Sequence, residues 1–339
     1  MNARKPIAVR RRLLFAAFLI PVCLVSLFFG SCSKKTEKVY HIGILSGLDF
    51  FSAITDGFKG KMAELGYIEG KNIFYDVQKT NIDIIAYRNI LKKFVSDKVD
   101  LIVAFPTEAS MEAKSITQGT NIPVVFVNAF TENTNLINSV REPGGNITGV
   151  RWPGPDMALQ RLEIMREIVP HAKHLWIPYQ KSYPIVSSQL EALRAAMKNA
   201  GLLMTEIPAD SATELESVLK KQARLGGLPD AILMIVEPLC VTPPTFMVLA
   251  KFAANKKIPL GGAYMPIPGY EPIFGLTPQA IPQGKQAAFL ADKVLKGTPA
   301  GTIPVVSAES YFQINYKSAE KLGLKVNEGL LGRANEIIK

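Results

Sequence analysis

Few side chains in this sequence are arranged for bond-making chemistry. There are three histidines, His41, His171 and His174. His171 and His174 flank Lys173 in a predicted turn that offers no cysteine or carboxylate to complete a metal site. The chain contains no G-x-S-x-G elbow, no H-E-x-x-H and no G-x-G-x-x-G. Gly66-Tyr-Ile-Glu-Gly70-Lys71 has the outline of a phosphate loop. It places three residues between its glycines instead of four, and Asn72 stands where Ser or Thr would be needed. It also follows a predicted helix instead of a strand, so it reads as a turn. An enzyme is therefore not expected, and no cofactor or metal is called for.

Cysteine chemistry points outward from the cell. Arg10-Arg11-Arg12 precedes an apolar run over 13–29, which is followed by Gly30, Ser31 and Cys32 and then by Ser33-Lys34-Lys35. A cationic start, an apolar stretch and small residues before a cut define an export signal. A cysteine at that cut looks like a bacterial lipobox, in which the thiol receives a diacylglycerol and becomes the new amino terminus. Phe29 departs from the usual Leu three positions before the cysteine. The expectation is a signal peptide over 1–31, lipidation of Cys32 and a polar tether over 32–38. The folded body would then sit outside the cytoplasm, anchored to the membrane surface or held in the periplasm. Cys23 falls in the apolar run, so Cys240 alone remains in the body and no disulfide can form within it. Cys240 itself reads as a packed residue.

Charge agrees with export. The formal net charge is +10, but Arg4, Lys5, Arg10, Arg11 and Arg12 all precede the cut and no acid precedes Glu37, so the mature chain carries about +5. That excess is too mild to argue for a nucleic-acid partner. Apolar residues at 48% and charged residues at 20% describe a globular chain, and 339 residues are more than one core usually holds.

Strands are predicted at 41–45, 72–77, 100–104 and 123–127, alternating with helices over 53–65, 84–96 and 108–117. After a crossover at 144–153 the alternation restarts. Helices at 160–168, 187–200, 212–223 and 245–255 interleave with strands at 174–177, 204–208, 230–236 and 259–262. A last helix spans 279–295, with a Thr/Pro-rich strand after it. Val- and Ile-rich strands alternating with helices indicate parallel βαβ units covered on both faces. The expected fold is α/β, with two doubly wound Rossmann-like lobes joined by a three-strand hinge. The first lobe would hold 39–150 plus 273–297, and the second 151–272 plus 298–339.

Several stretches resemble one family. They are His41-Ile-Gly-Ile-Leu45, Gly57-Phe58, Glu64-Leu-Gly-Tyr-Ile-Glu-Gly-Lys-Asn72, Asp100-Leu-Ile-Val-Ala104 with Thr107, and Asn121-Ile-Pro-Val-Val-Phe126. Pro143-Gly-Gly-Asn-Ile-Thr-Gly149 is the most distinctive, followed by Tyr179, Pro184, Gln189-Leu-Glu-Ala-Leu193 and the end of the chain near 319–324. Over about 39–326 the chain resembles the substrate-binding proteins of ATP-binding-cassette (ABC) transporters, a family that includes tryptophan and tyrosine binders. The resemblance implies the type I periplasmic binding fold, a small-molecule ligand held in the interlobe cleft by hinge closure, an ABC permease as membrane partner, and a monomer. An alternative within the same fold is a sensor that presents its ligand to a membrane histidine kinase.

In open α/β sheets, ligands sit beyond the carboxyl ends of the strands, where helix amino termini offer N–H groups. The candidate ligand residues are therefore Ser46, Asp49, Phe50, Phe105, Thr107, Asn128 and Phe130 in the first lobe. Tyr179, Tyr183, Glu237 and Tyr264 are their counterparts in the second, with Trp152 at the crossover. The resemblance adds weight to Thr107 and Tyr179. It also exposes departures. Amino-acid-binding members place an Asp near 130 and a polar pair near 237–238, where this chain has Phe130, Glu237 and Pro238. The loop after the first strand is about two residues shorter than in those members. Part of an ammonium cage is thus missing, while the density of aromatic candidates favours a flat or apolar group in the ligand.

Overall fold

In the computed structural model, residues 38–81, 83–181, 183–263 and 267–339 are described. Cys32, the segment before it and Tyr264 lie outside them. The first half of the body is built on β1 (Tyr40–Ser46), α1 (Ala53–Glu64), β2 (Ile73–Lys79), α2 (Ile84–Ser96), β3 (Leu101–Phe105), α3 (Thr107–Thr117), β4 (Val124–Ala129) and β5 (Ile147–Arg151). The strands pair in parallel in the order β5-β4-β3-β1-β2, with Ile42 opposite Leu101, Ile102 opposite Val124 and Val124 opposite Ile147. Their side chains alternate between two layers. Ile42, Ile44, Leu101, Val103, Val125 and Val127 enter the core under α1, whereas Leu45, Ile102, Ala104, Val124 and Phe126 enter the core under α2 and α3. Burial on both faces is why these strands read as continuous apolar runs.

The second half contains α4 (Gly154–Ile168), β6 (His174–Gln180), α5 (Val186–Asn199), β7 (Leu203–Ala209), α6 (Ala212–Leu225), β8 (Ala231–Leu233), α7 (Pro238–Val241), α8 (Pro243–Lys256) and β9 (Leu260–Gly261). Its strands are again parallel, in the order β7-β6-β8-β9. The chain continues through β10 (Phe274–Pro278), α9 (Ala280–Leu295), β11 (Val306–Ser307), β12 (Ser310–Asn315), α10 (Tyr316–Lys321), α11 (Glu328–Arg333) and β13 (Glu336–Ile338). A parallel bridge between Gly262 and Gly275 attaches the β10-β12-β13 sheet to the β9 edge.

The late helix α9 packs on the first lobe. Ala287, Ala288, Leu290, Ala291 and Val294 share a core with Ile54, Phe58 and Met62 of α1. The two helices approach so closely that a Cβ on Gly284 would lie 2.1 Å from the Ile54 carbonyl oxygen, and one on Gly57 would lie 2.1 Å from that of Ile281. The chain passes between lobes after β5, after β10 and after β11.

Two segments fall on the other lobe from the one expected. Residues 273–278 were assigned to the first lobe, yet Ile273, Phe274 and Leu276 are packed in the second-lobe core with Phe312 and Ile314. Residues 298–308 were assigned to the second, yet β11 extends the first sheet beside β5, and Ala300, Ile303 and Ala308 enter the first-lobe core. A two-residue edge strand in a Thr/Pro-rich stretch carries no alternation from which its sheet could be read. β5 lies within the stretch that the sequence reads as the crossover, because Gly144-Gly145-Asn146 punctuates the chain just before it.

Candidate functional site

The carboxyl ends of β1, β3 and β4 converge on one edge of the first lobe. Ser46 closes β1. It is wholly buried, and its hydroxyl has no partner among the described residues. The next residue is fixed on both sides: Gly47 donates to the Phe105 carbonyl at 2.7 Å and accepts from the Tyr87 hydroxyl at 2.5 Å. Asp49 and Phe50 lie in a short 3-10 turn, and Phe50 is 82% exposed at the rim. Thr107 opens α3 with no capping bond from its side chain to its own helix. Its Oγ1 instead accepts the Phe130 N–H at 3.1 Å, tying α3 to the loop after β4. Asn128 adopts a left-handed φ of 53° where the β4 register shifts. The shift turns the chain so that the Phe130 ring lies 4.7 Å from that of Trp152, at an interplanar angle of 51°.

Phe105 has a different place from the one expected. β3 runs one residue beyond its predicted end, so Phe105 keeps the strand's alternation and continues the row of Leu101 and Val103. Its ring is wholly buried in the first-lobe core, not turned to the cleft.

In the second lobe, Glu237 is 2% exposed and fully engaged by backbone. Its carboxylate accepts N–H groups from Cys240 at 2.8 Å, Gln180 at 3.0 Å and Leu239 at 3.1 Å, capping α7 and stitching it to the end of β6. Burial pushes its carboxyl up, against the pull of those bonds. This arrangement moves Glu237 from the ligand candidates to the scaffold. Tyr179 donates to Glu206 at 3.1 Å, and Glu206 is in turn held by Arg194 at 2.6 and 2.9 Å. Burial first and then the Glu206 carboxylate raise the Tyr179 hydroxyl above its usual range. Burial likewise raises Tyr183, with Glu108 of α3 and Glu237 adding to the effect. Tyr183 therefore feels carboxylates of both lobes.

Two arginines near the first crossover were not foreseen. Arg151 donates to Glu132 at 2.5 Å, to Asp156 at 2.8 Å and to Ser307 at 3.0 Å. Arg161 is wholly buried on the apolar face of α4. A signal for it existed: Met157, Ala158, Leu162 and Met165 set a helical apolar stripe, and a cation falls within it. A hollow lined by Glu163, Arg166, Lys173 and Leu202 lies at the amino-terminal edge of the second sheet, away from all these groups.

Residues 42–338 match the sequence profile of a family described as "ABC transporter substrate binding protein". The chain belongs to this family. A tyrosine-binding protein of Clostridioides difficile is 27% identical over 286 residues, covering 82% of this chain and 79% of that protein. Among solved structures, the ligand-free, open form of a substrate-binding protein with adhesive properties from Clostridium difficile matches with a TM-score of 0.74 at 21% identity, over 89% of this chain and 99% of that one. An ABC domain from Streptococcus pneumonia in complex with L-Trp matches with a TM-score of 0.71 at 22% identity, over 89% and 100%. The fold is that of the type I periplasmic binding proteins. The family binds solutes, and no helix among the described residues is long and apolar enough to cross a membrane.

Proposed function

We propose that this protein is the extracytoplasmic receptor of an ABC importer, lipid-anchored through Cys32, and that it closes on a small ligand bearing an aromatic ring. The observation that carries the reading is the Phe130–Trp152 pair at the crossover, positioned by the Thr107 bond to the Phe130 N–H. Trp152 is buried at the edge of the second-lobe core and Phe130 is half-buried against it, so a flat group would reach the pair from the Phe130 side. The Ser46 hydroxyl, buried at the end of β1, has no partner among the described residues and would have to be uncovered to reach a ligand. The names of the tyrosine-binding relative and the L-Trp complex support an aromatic ligand. Thr107, Asn128 and Tyr183 would line the ligand, with the exposed Phe50 closing over it. Rotation about the three crossing segments would bring the lobes together, and a permease would distinguish closed from open by their spacing.

Thermal unfolding in the presence of L-tyrosine, L-tryptophan and their des-amino and decarboxylated analogues tests this. A bound ligand raises the melting temperature by mass action. Silence across all of these would sink the aromatic-ligand reading. Mass spectrometry of the membrane fraction tests the anchor, and recovery of an unmodified Cys32 would remove it.

A further inference from the structure

Arg161 breaks the apolar pattern of the second-lobe core. It shares the buried face of α4 with Met157, Ala158, Leu162, Met165 and Ile168 and is itself wholly buried. Nε and Nη2 both donate to the Leu276 carbonyl, at 3.0 and 2.7 Å. The guanidinium carbon lies 5.7 Å from the centre of the Trp152 ring. Nη1 meets no acceptor, and no carboxylate pairs with the group among the described residues. Burial pulls its pKa down to about 9, so it is still a cation at neutral pH. The neighbouring Cys240 thiol is pushed up by its own burial and supplies no counter-charge there.

An unpaired charge in a protein interior costs several kcal/mol. The carbonyl contact does not need a charge, and the cation–π contact with the indole offsets only part of its burial cost. A neutral amide could donate to Leu276 as well. The location is also telling. Leu276 is the middle residue of β10 and donates its N–H to Gly262, just past the end of β9; Cys240 follows β8 in α7, and Trp152 follows β5. All three are buried close to the carboxyl ends of second-lobe strands or to the first crossover. Three of the acids near the crossover are committed elsewhere: Glu237 to three backbone N–H groups, and Glu132 and Asp156 to Arg151. The site thus holds a cation in want of an anion.

We propose that Arg161 is the charge-selecting residue of the cleft: it receives an anionic group of the ligand, so the protein takes aromatic carboxylic acids in preference to aromatic amines. The proposal rests on the aromatic-cleft reading above. Because the guanidinium is sealed and Trp152 is only 5% exposed, the indole must shift as the acid docks.

Four probes on the full chain in detergent decide it: 3-(4-hydroxyphenyl)propionate, its neutral amide, tyramine and L-tyrosine. Calorimetry on the unmodified protein should find the acid bound about 10- to 100-fold more tightly than the amide, the size of a hydrogen-bonded charge contact. Tyramine should be weaker still, and acid binding should change the tryptophan emission. In Arg161→Gln, which keeps a donor for Leu276, the acid-to-amide ratio should fall to about one. A merely structural arginine would weaken both probes together and leave that ratio alone. An unchanged ratio in Arg161→Gln overturns the proposal, as does equal binding of amide or tyramine and acid by the unmodified protein. Those comparisons on the unmodified protein stand even if the variant fails to fold. Binding of none of the four would instead remove the aromatic-cleft reading and this inference with it.

Discussion

Replacing Glu237 by Ala separates a scaffold carboxylate from a ligand carboxylate. The side chain accepts three backbone N–H groups, but Cys240 N has a second acceptor in the Glu237 carbonyl at 3.1 Å. Truncation therefore strands two donors, those of Gln180 and Leu239. A buried donor left without an acceptor costs about 1–3 kcal/mol. Removing a carboxylate that burial disfavours returns part of that, so the net loss should be about 2–4 kcal/mol. At the lower end of 2–4 °C per kcal/mol, suited to a chain of this size, the melting temperature should fall by roughly 4–8 °C. The pH dependence follows from the raised pKa. A carboxyl whose folded pKa exceeds its unfolded value of 4.5 contributes stability that is present in acid and lost as pH rises through the folded value. The gap between the unmodified protein and Glu237→Ala should thus widen as pH falls from neutral towards 4.5. Far-UV circular dichroism melts across that range measure both effects. An unchanged melting temperature together with lost affinity for an aromatic probe would return Glu237 to the ligand site, and a gap that narrows in acid would refute the linkage.

Thr107→Val removes the acceptor of the Phe130 N–H; stability should fall by about 1 kcal/mol, and aromatic probes should bind more weakly because the Phe130–Trp152 pair is loosened. Equal affinity in calorimetry would show that the bond does not position the rings. Arg151 ties Glu132 of the first lobe to Asp156 of the second and to Ser307 at the third crossing, so Arg151→Gln should broaden the distribution of interlobe distances seen by small-angle scattering or paired spin labels. Raising salt from about 0.05 to about 0.5 M should shrink the difference from the unmodified protein through screening. Gly284→Val places a Cβ 2.1 Å from the Ile54 carbonyl oxygen, and separating α1 from α9 should cost about 1–3 kcal/mol or more in denaturant unfolding. An unaltered midpoint would contradict the close helix contact.

The parts of the fold that were legible are those whose pattern is local. Ile84–Ser96 follows Asp83, whose side chain accepts from Ala86 N, and the apolar spacing of Tyr87, Leu91 and Phe94 carries the helix to its end. The strands of the first lobe were legible because burial on both faces leaves short runs of Val, Ile and Leu. β10 and β12 were not, and the Thr/Pro-rich strand after α9 was expected without its sheet, because β11 and β10 are placed by pairings far along the chain: β11 beside β5, and β10 beside β12 and β9. α7 carries a local signal of its own, an acidic residue directly before a proline at the first helical position.

The site divides in the same way. Knowing that a residue follows a strand fixes where its backbone lies, but the direction of its side chain depends on where the strand stops. Ser46 and Phe105 stand opposite each other in register and on the same face. Phe105 is still a strand residue, so its ring goes into the core. Trp152 and Phe130 lie beyond β5 and the β4 bulge, so alternation no longer governs them and their rings can meet. Arg161 lies the other way, inside an element whose pattern was apolar, two helical turns from the crossover. Residues aimed at a cleft from within a core have no position-after-strand rule to reveal them. Their mark is a charge where the helical period asks for a hydrocarbon, and its meaning emerges only once the partner atoms are counted and one donor is left over.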